Sequence, residues 1–189
     1  MSPSTKPLSE MTLEELWQLF PIILSEHDPD WAEYYKEENA LPEKQFDRLL
    51  VRISHISSTA VEGLIAKPTV DILLEVDTAA SPDEVRQIAE ACGYTVMAES
   101  IAPEYRLDLC KGYTPQGFAE KVFHLHIRHS GDWDEIVFRD YLRRNPCKAE
   151  EYAELKMELQ KRFKHNRDAY TEAKGEFIRA CVKEARNRK

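Results

Sequence analysis

Two histidines stand two residues apart in 122-VFHLHIR-128, and one aspartate interrupts the apolar run 69-TVDILLEV-76. Side chains of an extended strand alternate between faces, so His124 and His126 share one face while Phe123, Leu125 and Ile127 point to the other. Imidazoles at that spacing can converge on one metal ion or one phosphate. The plainer alternative is a hydrogen-bonded pair on a sheet. Asp71 raises a matching question. A lone carboxylate in an apolar run is costly, so it must be paired, hydrogen-bonded or metal-bound. Lys67 and Arg106 are candidate ion-pair partners for it, and candidate phosphate contacts. The next acid on its face is Glu75, about 13 Å further along an extended strand. That is too far to share one centre, and Glu75 reads as a strand-end surface residue. Ser58 and Thr59, in the small-residue loop 57-SSTAVEGLIAKP-68, can offer hydroxyl and backbone donors to a phosphate. His55 shares a face with Val51 and Ile53 and fits a core histidine equally well. Asp108 and His129 carry weaker signals, and Arg139 and Asp140 read as links between helix and sheet.

These side chains need a sheet to position them. Strands are predicted at 51–56, 69–76, 94–97, 105–110 and 122–128, with 69–76 apolar enough to be buried on both faces. Lys111 to Gly117 reads as a hairpin connection. Thr12 and Glu15 form a capping-box pattern before a short helix that ends at Pro21, and 22–27 suits a short strand. Asp28-Pro29 opens a helix running to about Leu50, kinked or broken at Pro42. Ser81-Pro82 opens another, closed by Gly93. After Gly131 the pattern turns helical, with helices predicted at 132–144, 147–164 and 168–187. The first ten residues read as a flexible tail. The expected organisation is a tail and short helix over 1–21, then one domain over 22–189.

Composition narrows the partners. The chain has 189 residues and a net charge of −8, which argues against a broad nucleic-acid footprint but leaves room for a local basic pocket. No stretch approaches the ~20 apolar residues of a membrane span. The N-terminus lacks the features of a secretory signal, and Cys92, Cys110, Cys147 and Cys181 form no CxxC pair and read as reduced thiols. A cytoplasmic location is expected. Oligomeric state has no signature.

Taken together, three segments resemble the GrpB family, whose fold is that of the nucleotidyltransferases. They are 53-ISHISSTAVEGLIAKPTVDILLEV-76, 124-HLHI-127 and 138-FRDYLRRNP-146, the last followed by Tyr152, Leu155, Lys156, Tyr170, Lys174 and Phe177. With 28-DPDW-31 they span most of the chain from about residue 22. The resemblance implies an α/β (α+β) fold, a nucleotidyltransferase-like mixed sheet flanked by helices, with a helical C-terminal third. It also implies a metal-dependent transferase that moves a nucleotidyl group from a nucleoside triphosphate to an unknown acceptor. Asp71, His124 and His126 would be its catalytic and metal-binding residues, and Ser58, Thr59, Lys67 and Arg106 its nucleotide contacts. The implied cofactors are a divalent metal, Mn²⁺ or Mg²⁺, and a nucleoside triphosphate. The implied partner is a small-molecule or nucleotide ligand. Ser57 replaces the family's usual glycine, Glu62 replaces proline, and Leu73 stands where the superfamily has its second acid, two residues after the first. Those departures support an alternative, a non-catalytic nucleotide- or metabolite-binding module. If a metal binds, the missing acid implies a mixed His/Asp set, with affinity falling as pH drops through about 6.5.

Overall fold

A computed structural model describes residues 6–187. The part of the expected tail at 1–5 lies outside the described residues. Five strands form one sheet: β1 (Leu50–Ile56), β2 (Val70–Val76), β3 (Thr95–Ser100), β4 (Arg106–Thr114) and β5 (Gly117–His129). Their spatial order is β1-β2-β5-β4-β3. β2 and β5 run parallel at the centre, and every other pairing is antiparallel. The sheet is therefore mixed, as the resemblance implies. The helices are α1 (Leu13–Leu19), α2 (Asp30–Phe46), α3 (Pro82–Ala91), α4 (Asp134–Arg144), α5 (Pro146–Phe163), α6 (Arg167–Ala173) and α7 (Gly175–Asn187). Among the described residues, no helix is long and apolar enough to cross a membrane.

Alternation sorts the central strands. Val70, Ile72, Leu74 and Val76 of β2 join Phe123, Leu125 and Ile127 of β5 and Leu107 and Leu109 of β4 in one buried cluster. Trp31 and Phe46 of α2, with Val85 and Ala89 of α3, complete it. The opposite face receives the C-terminal helices. Their own cluster holds Phe138, Tyr141, Tyr152 and Val182 and reaches Val61 and Leu64 in the loop after β1. Arg139 of α4 donates to the His55 carbonyl at 2.8 Å, and Lys156 of α5 donates to Ser58 Oγ at 3.0 Å. Arg139 thus links helix to sheet as expected, with Asp140 as its ion-pair partner.

Local signals held where the cause was local. The capping box at Thr12 and Glu15 forms on both sides, and Asp28 Oδ1 accepts the Asp30 N–H at 2.9 Å. Four expectations change. Residues 22–27 make a single bridge, Ser25 with Ala66, rather than a strand. Pro42 sits inside α2 without ending it. The predicted helix 168–187 splits at Lys174, between the end of α6 at Ala173 and the start of α7 at Gly175. The hairpin connection is much shorter than 111–117, since β4 runs to Thr114 and β5 starts at Gly117.

That hairpin is irregular at Gly112. The pairing register shifts between Lys111 and Tyr113. Gly112 has φ +91°, and a Cβ there would lie 2.3 Å from the Lys121 carbonyl oxygen, so no other residue fits without backbone movement. Lys111 reaches Glu38 at 2.8 Å on the α2 side, whereas Tyr113 reaches His124 at 2.8 Å on the opposite side.

Candidate functional site

Register brings the candidate residues together. Asp71 lies beside His124, and Leu73 beside His126, across the parallel β2–β5 pair. On the other side of β5, Asp108 of β4 lies opposite His126. All the polar members project away from the α2–α3 core, as strand parity required. Asp71 Oδ1 is 3.0 Å from His124 Nδ1 and 3.3 Å from His126 Nε2. The other nitrogen of His126, Nδ1, is 2.8 Å from Asp108 Oδ1, which also accepts from Arg128 at 2.7 Å. The partners of Asp71 are therefore the two histidines, not Lys67 or Arg106.

The hydrogen-bond partners assign the protons. Arg167 has only donors, and its Nη2 lies 3.0 Å from His124 Nε2. His124 Nε2 must accept, so Nδ1 carries the proton and donates to Asp71. Tyr113 reinforces this: its hydroxyl is 2.8 Å from the same Nε2 and accepts from Arg167 Nη1 at 2.9 Å. Burial disfavours a charged His124 and, against the pull of Asp71, lowers its pKa to about 4. His126 goes the other way. Burial opposes its charge, but hydrogen bonds to Asp108 and Asp71 outweigh that and raise it to about 9. Asp71 is pushed up by burial, yet the two histidines hold it well below the usual carboxylate range. Asp108, partly buried, is pushed up by desolvation but held down to about 2, by His126 first and then Arg128.

Basic side chains flank this cluster. Lys67 makes no hydrogen bond or ion pair among the described residues. Burial first, then repulsion from Arg167 and Lys174, lowers it to about 7. Lys174 is lowered to about 8, mainly by burial. Lys156 is lowered to about 7 by burial and by Lys174 and Lys67. It donates to Ser58 Oγ and the Ile65 carbonyl. Lys67 and Lys174 feel Asp71, and Lys156 feels both lysines, so basic groups gather on one side of this carboxylate.

Two cavities lie to either side. One, of about 450 Å³, is lined by Ser57, Arg106, Trp133, Tyr152 and Lys174 among others. The second, of about 140 Å³, is bordered by Lys67 and Arg167. Asp71, His124 and His126 line neither of these two; they converge on one another. Asp71 and His126 keep 17% and 22% of their side chains exposed.

The remaining candidates divide. The Ser58 hydroxyl is buried against Lys156. Thr59 Oγ1 bonds His55 Nε2 at 2.9 Å and donates to the Thr69 carbonyl at 3.4 Å. Both hydroxyls are engaged inside the protein. His55 also stacks on Tyr35, so it is a satisfied interior histidine. Arg106 pairs with Glu104 at 3.0 Å, lies over Trp133 and borders the larger cavity. Glu75 overturns its surface assignment. It is 2% exposed, pairs with Arg52, and accepts the Gly131 N–H at 3.1 Å. Its partners lie on β1 and beyond β5, where local pattern could not reveal them. Sequence reasoning underrated Asp108 and missed Tyr113 and Arg167. The signal for Asp108 was its parity with Cys110 and Arg106 on β4; Arg167 gave none.

Ser57 adopts φ 65° and ψ −164°, a region that essentially only glycine occupies. A glycine, the residue the resemblance implies at this position, would adopt that backbone without strain.

Asp71, His124 and His126 each offer one ligand atom to a metal ion, all within 4.8 Å of one another, and one pair already stands at ligand spacing. Ligands about 2.0–2.2 Å from a tetrahedral ion lie roughly 3.4 Å apart, close to the 3.3 Å between Asp71 Oδ1 and His126 Nε2. Asp108 holds the far nitrogen of His126, as carboxylates do behind metal-bound histidines. His124 joins a ligand set only by releasing its Nδ1 proton, against two donors aimed at Nε2. Its present role is to orient Asp71.

Residues 21–184 match the sequence model of the GrpB protein family. A UPF0157 protein of Pseudomonas aeruginosa is 34% identical over 80% of this chain and 62% of its own length. A UPF0157 protein of Bacillus subtilis is 30% identical over 92% of this chain and 51% of its own. The chain therefore spans only half to three-fifths of these two relatives. The crystal structure of conserved protein GrpB from Enterococcus faecalis is similar with a TM-score of 0.72 and 31% identity, covering 86% of this chain and 96% of that one. With the mixed sheet and the Asp71, His124 and His126 constellation in place, the chain belongs to the GrpB family.

Proposed function

We propose that the protein is a metal-assisted transferase that moves a nucleotidyl group from a nucleoside triphosphate to a small acceptor. One observation carries this reading: a carboxylate and an imidazole nitrogen at ligand spacing, backed by Asp108 and flanked by Lys67, Lys174 and Arg167. Carboxylate and imidazole suit a cation, and the basic groups suit phosphates. Asp71 and His126 would hold a divalent ion, with Mn²⁺ favoured over Mg²⁺ by the imidazole. The ion supplies charge stabilisation at the phosphoryl oxygens. His124, fixed by Tyr113 and Arg167, keeps the Asp71 carboxylate oriented, and Lys174 stands at the larger cavity where a triphosphate would enter.

The alternative, a non-catalytic nucleotide- or metabolite-binding module, draws on Leu73. It is fully buried and occupies the position beside His126 where a second acid on β2 would stand. Two measurements separate the readings. Titration of Mn²⁺ should give binding that falls about 10–100-fold in Asp108→Asn and further in His126→Ala. Binding unchanged in both folded variants leaves the histidines as plain sheet residues. Incubation with α-labelled ATP, GTP, CTP and UTP and a pool of small acceptors should transfer label. Nucleotide binding without transfer favours the binding module.

A further inference from the structure

The smaller cavity has a chemistry unlike its neighbour. The segment between α1 and α2 closes one side, and the β4–β5 hairpin closes the other. Phe20, Tyr113 and Phe118 form its aromatic wall, with ring centroids 4.7 Å, 5.0 Å and 5.3 Å apart pairwise. The closing segment is fixed rather than loose. Ile22 N–H donates to the Lys164 carbonyl at 2.8 Å, and Gln160 donates to the Ile22 carbonyl at 3.2 Å. At about 140 Å³, the space is close to that of an apolar cavity known to admit a single benzene ring, about 150 Å³.

Charge sits at one end of this cavity. Lys67 borders it with no hydrogen-bond partner among the described residues. Arg167 borders it too, spending two of its five N–H groups on Tyr113 and His124. Its guanidinium also lies 5.5 Å from the Tyr113 ring centroid. The acid in the lining, Glu120, is exposed to solvent. Lys67 is only partly buried, and its unpartnered ammonium leaves a position that a ligand's negative group can fill with a charge-assisted hydrogen bond.

We propose that this cavity binds a small organic anion whose apolar body is about one ring in size, with its carboxylate on Lys67 and Arg167. The binding claim stands on the cavity alone. Its role in the reaction rests on the transferase reading: the anion would be the acceptor. Arg167 touches both this cavity and His124, so a carboxylate here lies at the flank of the Asp71 cluster. In that role a carboxylate oxygen bonds the α-phosphorus as the α–β bridging P–O bond breaks. Pyrophosphate carries away the bonding pair, and the product is an acyl–nucleotide mixed anhydride. No proton has to leave the acceptor.

Benzoate, with benzyl alcohol as its neutral counterpart, tests the binding claim. Each is titrated by saturation-transfer NMR in EDTA and without nucleotide, so the result does not depend on metal or transfer. Wild type should bind benzoate at millimolar concentration and benzyl alcohol about tenfold more weakly, the factor that one charge-assisted hydrogen bond supplies. Lys67→Met should weaken benzoate about tenfold and leave benzyl alcohol unchanged. Ile23→Trp, at a half-exposed lining position, should block both. No benzoate binding by wild type, or binding unaltered in both folded variants, overturns the proposal. If benzoate binds as expected while the Mn²⁺ and label-transfer experiments fail, the transferase reading falls and the pocket stands.

Discussion

On β2, Ile72 and Leu74 enter the apolar core beneath α2 and α3, while Asp71 and Glu75, one residue away, enter a set of carboxylates, imidazoles and guanidiniums. The two faces are made by the same strands and are stabilised differently. On the apolar face each side chain contributes roughly its own buried area, and similar shapes can replace one another. On the polar face each group sets the protonation of the next: Arg167 fixes His124, His124 holds Asp71, and Asp108 charges His126. Removing one member leaves another unsatisfied, so effects there are not additive. Leu73 is the exception, an apolar residue fully buried among the polar ones.

The largest effect is expected on the apolar face. Leu74→Ala should lower unfolding free energy by about 2–5 kcal/mol, whereas Leu74→Met should cost less than about 1.5 kcal/mol. Urea unfolding measures both, and equal losses would mean the two faces do not differ as described.

Arg52→Met comes next. It strands Glu75, 2% exposed, with only the Gly131 N–H for company. Breaking a buried pair costs about 3–5 kcal/mol; the half-exposed Arg52 side chain places the loss near the lower end. The double variant Arg52→Met, Glu75→Gln should recover part of it. A double variant no more stable than the single one would show that the pair is not coupled.

Acid sensitivity sharpens the contrast further. Burial lowers the pKa of His55 to about 4 from 6.5. The unfolded chain therefore takes up the proton first. The resulting stability is fully present above about 6.5 and is lost as pH falls toward 4. His55→Gln removes the titration, so its urea midpoint should fall less than that of wild type between pH 7 and pH 4.5. Parallel curves would remove His55 from the account.

The smallest effect is a gain. Ser57→Gly relieves a backbone conformation that costs a non-glycine residue about 1–3 kcal/mol, partly offset by the greater freedom of glycine when unfolded. A net rise of roughly 1 kcal/mol is expected, read as a higher thermal midpoint. A fall would show that the Ser57 side chain is itself stabilising.

What was legible in the sequence followed from rules that act within one segment. Alternation placed Asp71, His124 and His126 on one face, and the Thr12 and Glu15 pattern forms its capping box. The fold class followed from the family resemblance. What was hidden depended on register between segments. Asp108 joins His126 only because β4 pairs with β5 in that alignment, and Glu75 is buried because β1 brings Arg52 alongside. Arg167 lies 43 positions after His124, in a stretch whose pattern shows a helix but not where that helix docks. The unusual backbone at Ser57 was traceable through the glycine that the family carries there.

The irregularity at Gly112 sets a reading frame for the site. Before it, β4 delivers Lys111 to the helix-covered side; after it, the chain delivers Tyr113 to His124. A strand that changes sides at a fixed residue cannot slide by one position and keep both contacts. In a regular strand Tyr113, two residues after Lys111, would share its side, so losing the irregularity would return Tyr113 toward α2 and leave His124 Nε2 with Arg167 as its sole donor. The backbone freedom of one glycine, remote from any proton it controls, therefore guards the proton arrangement of the centre.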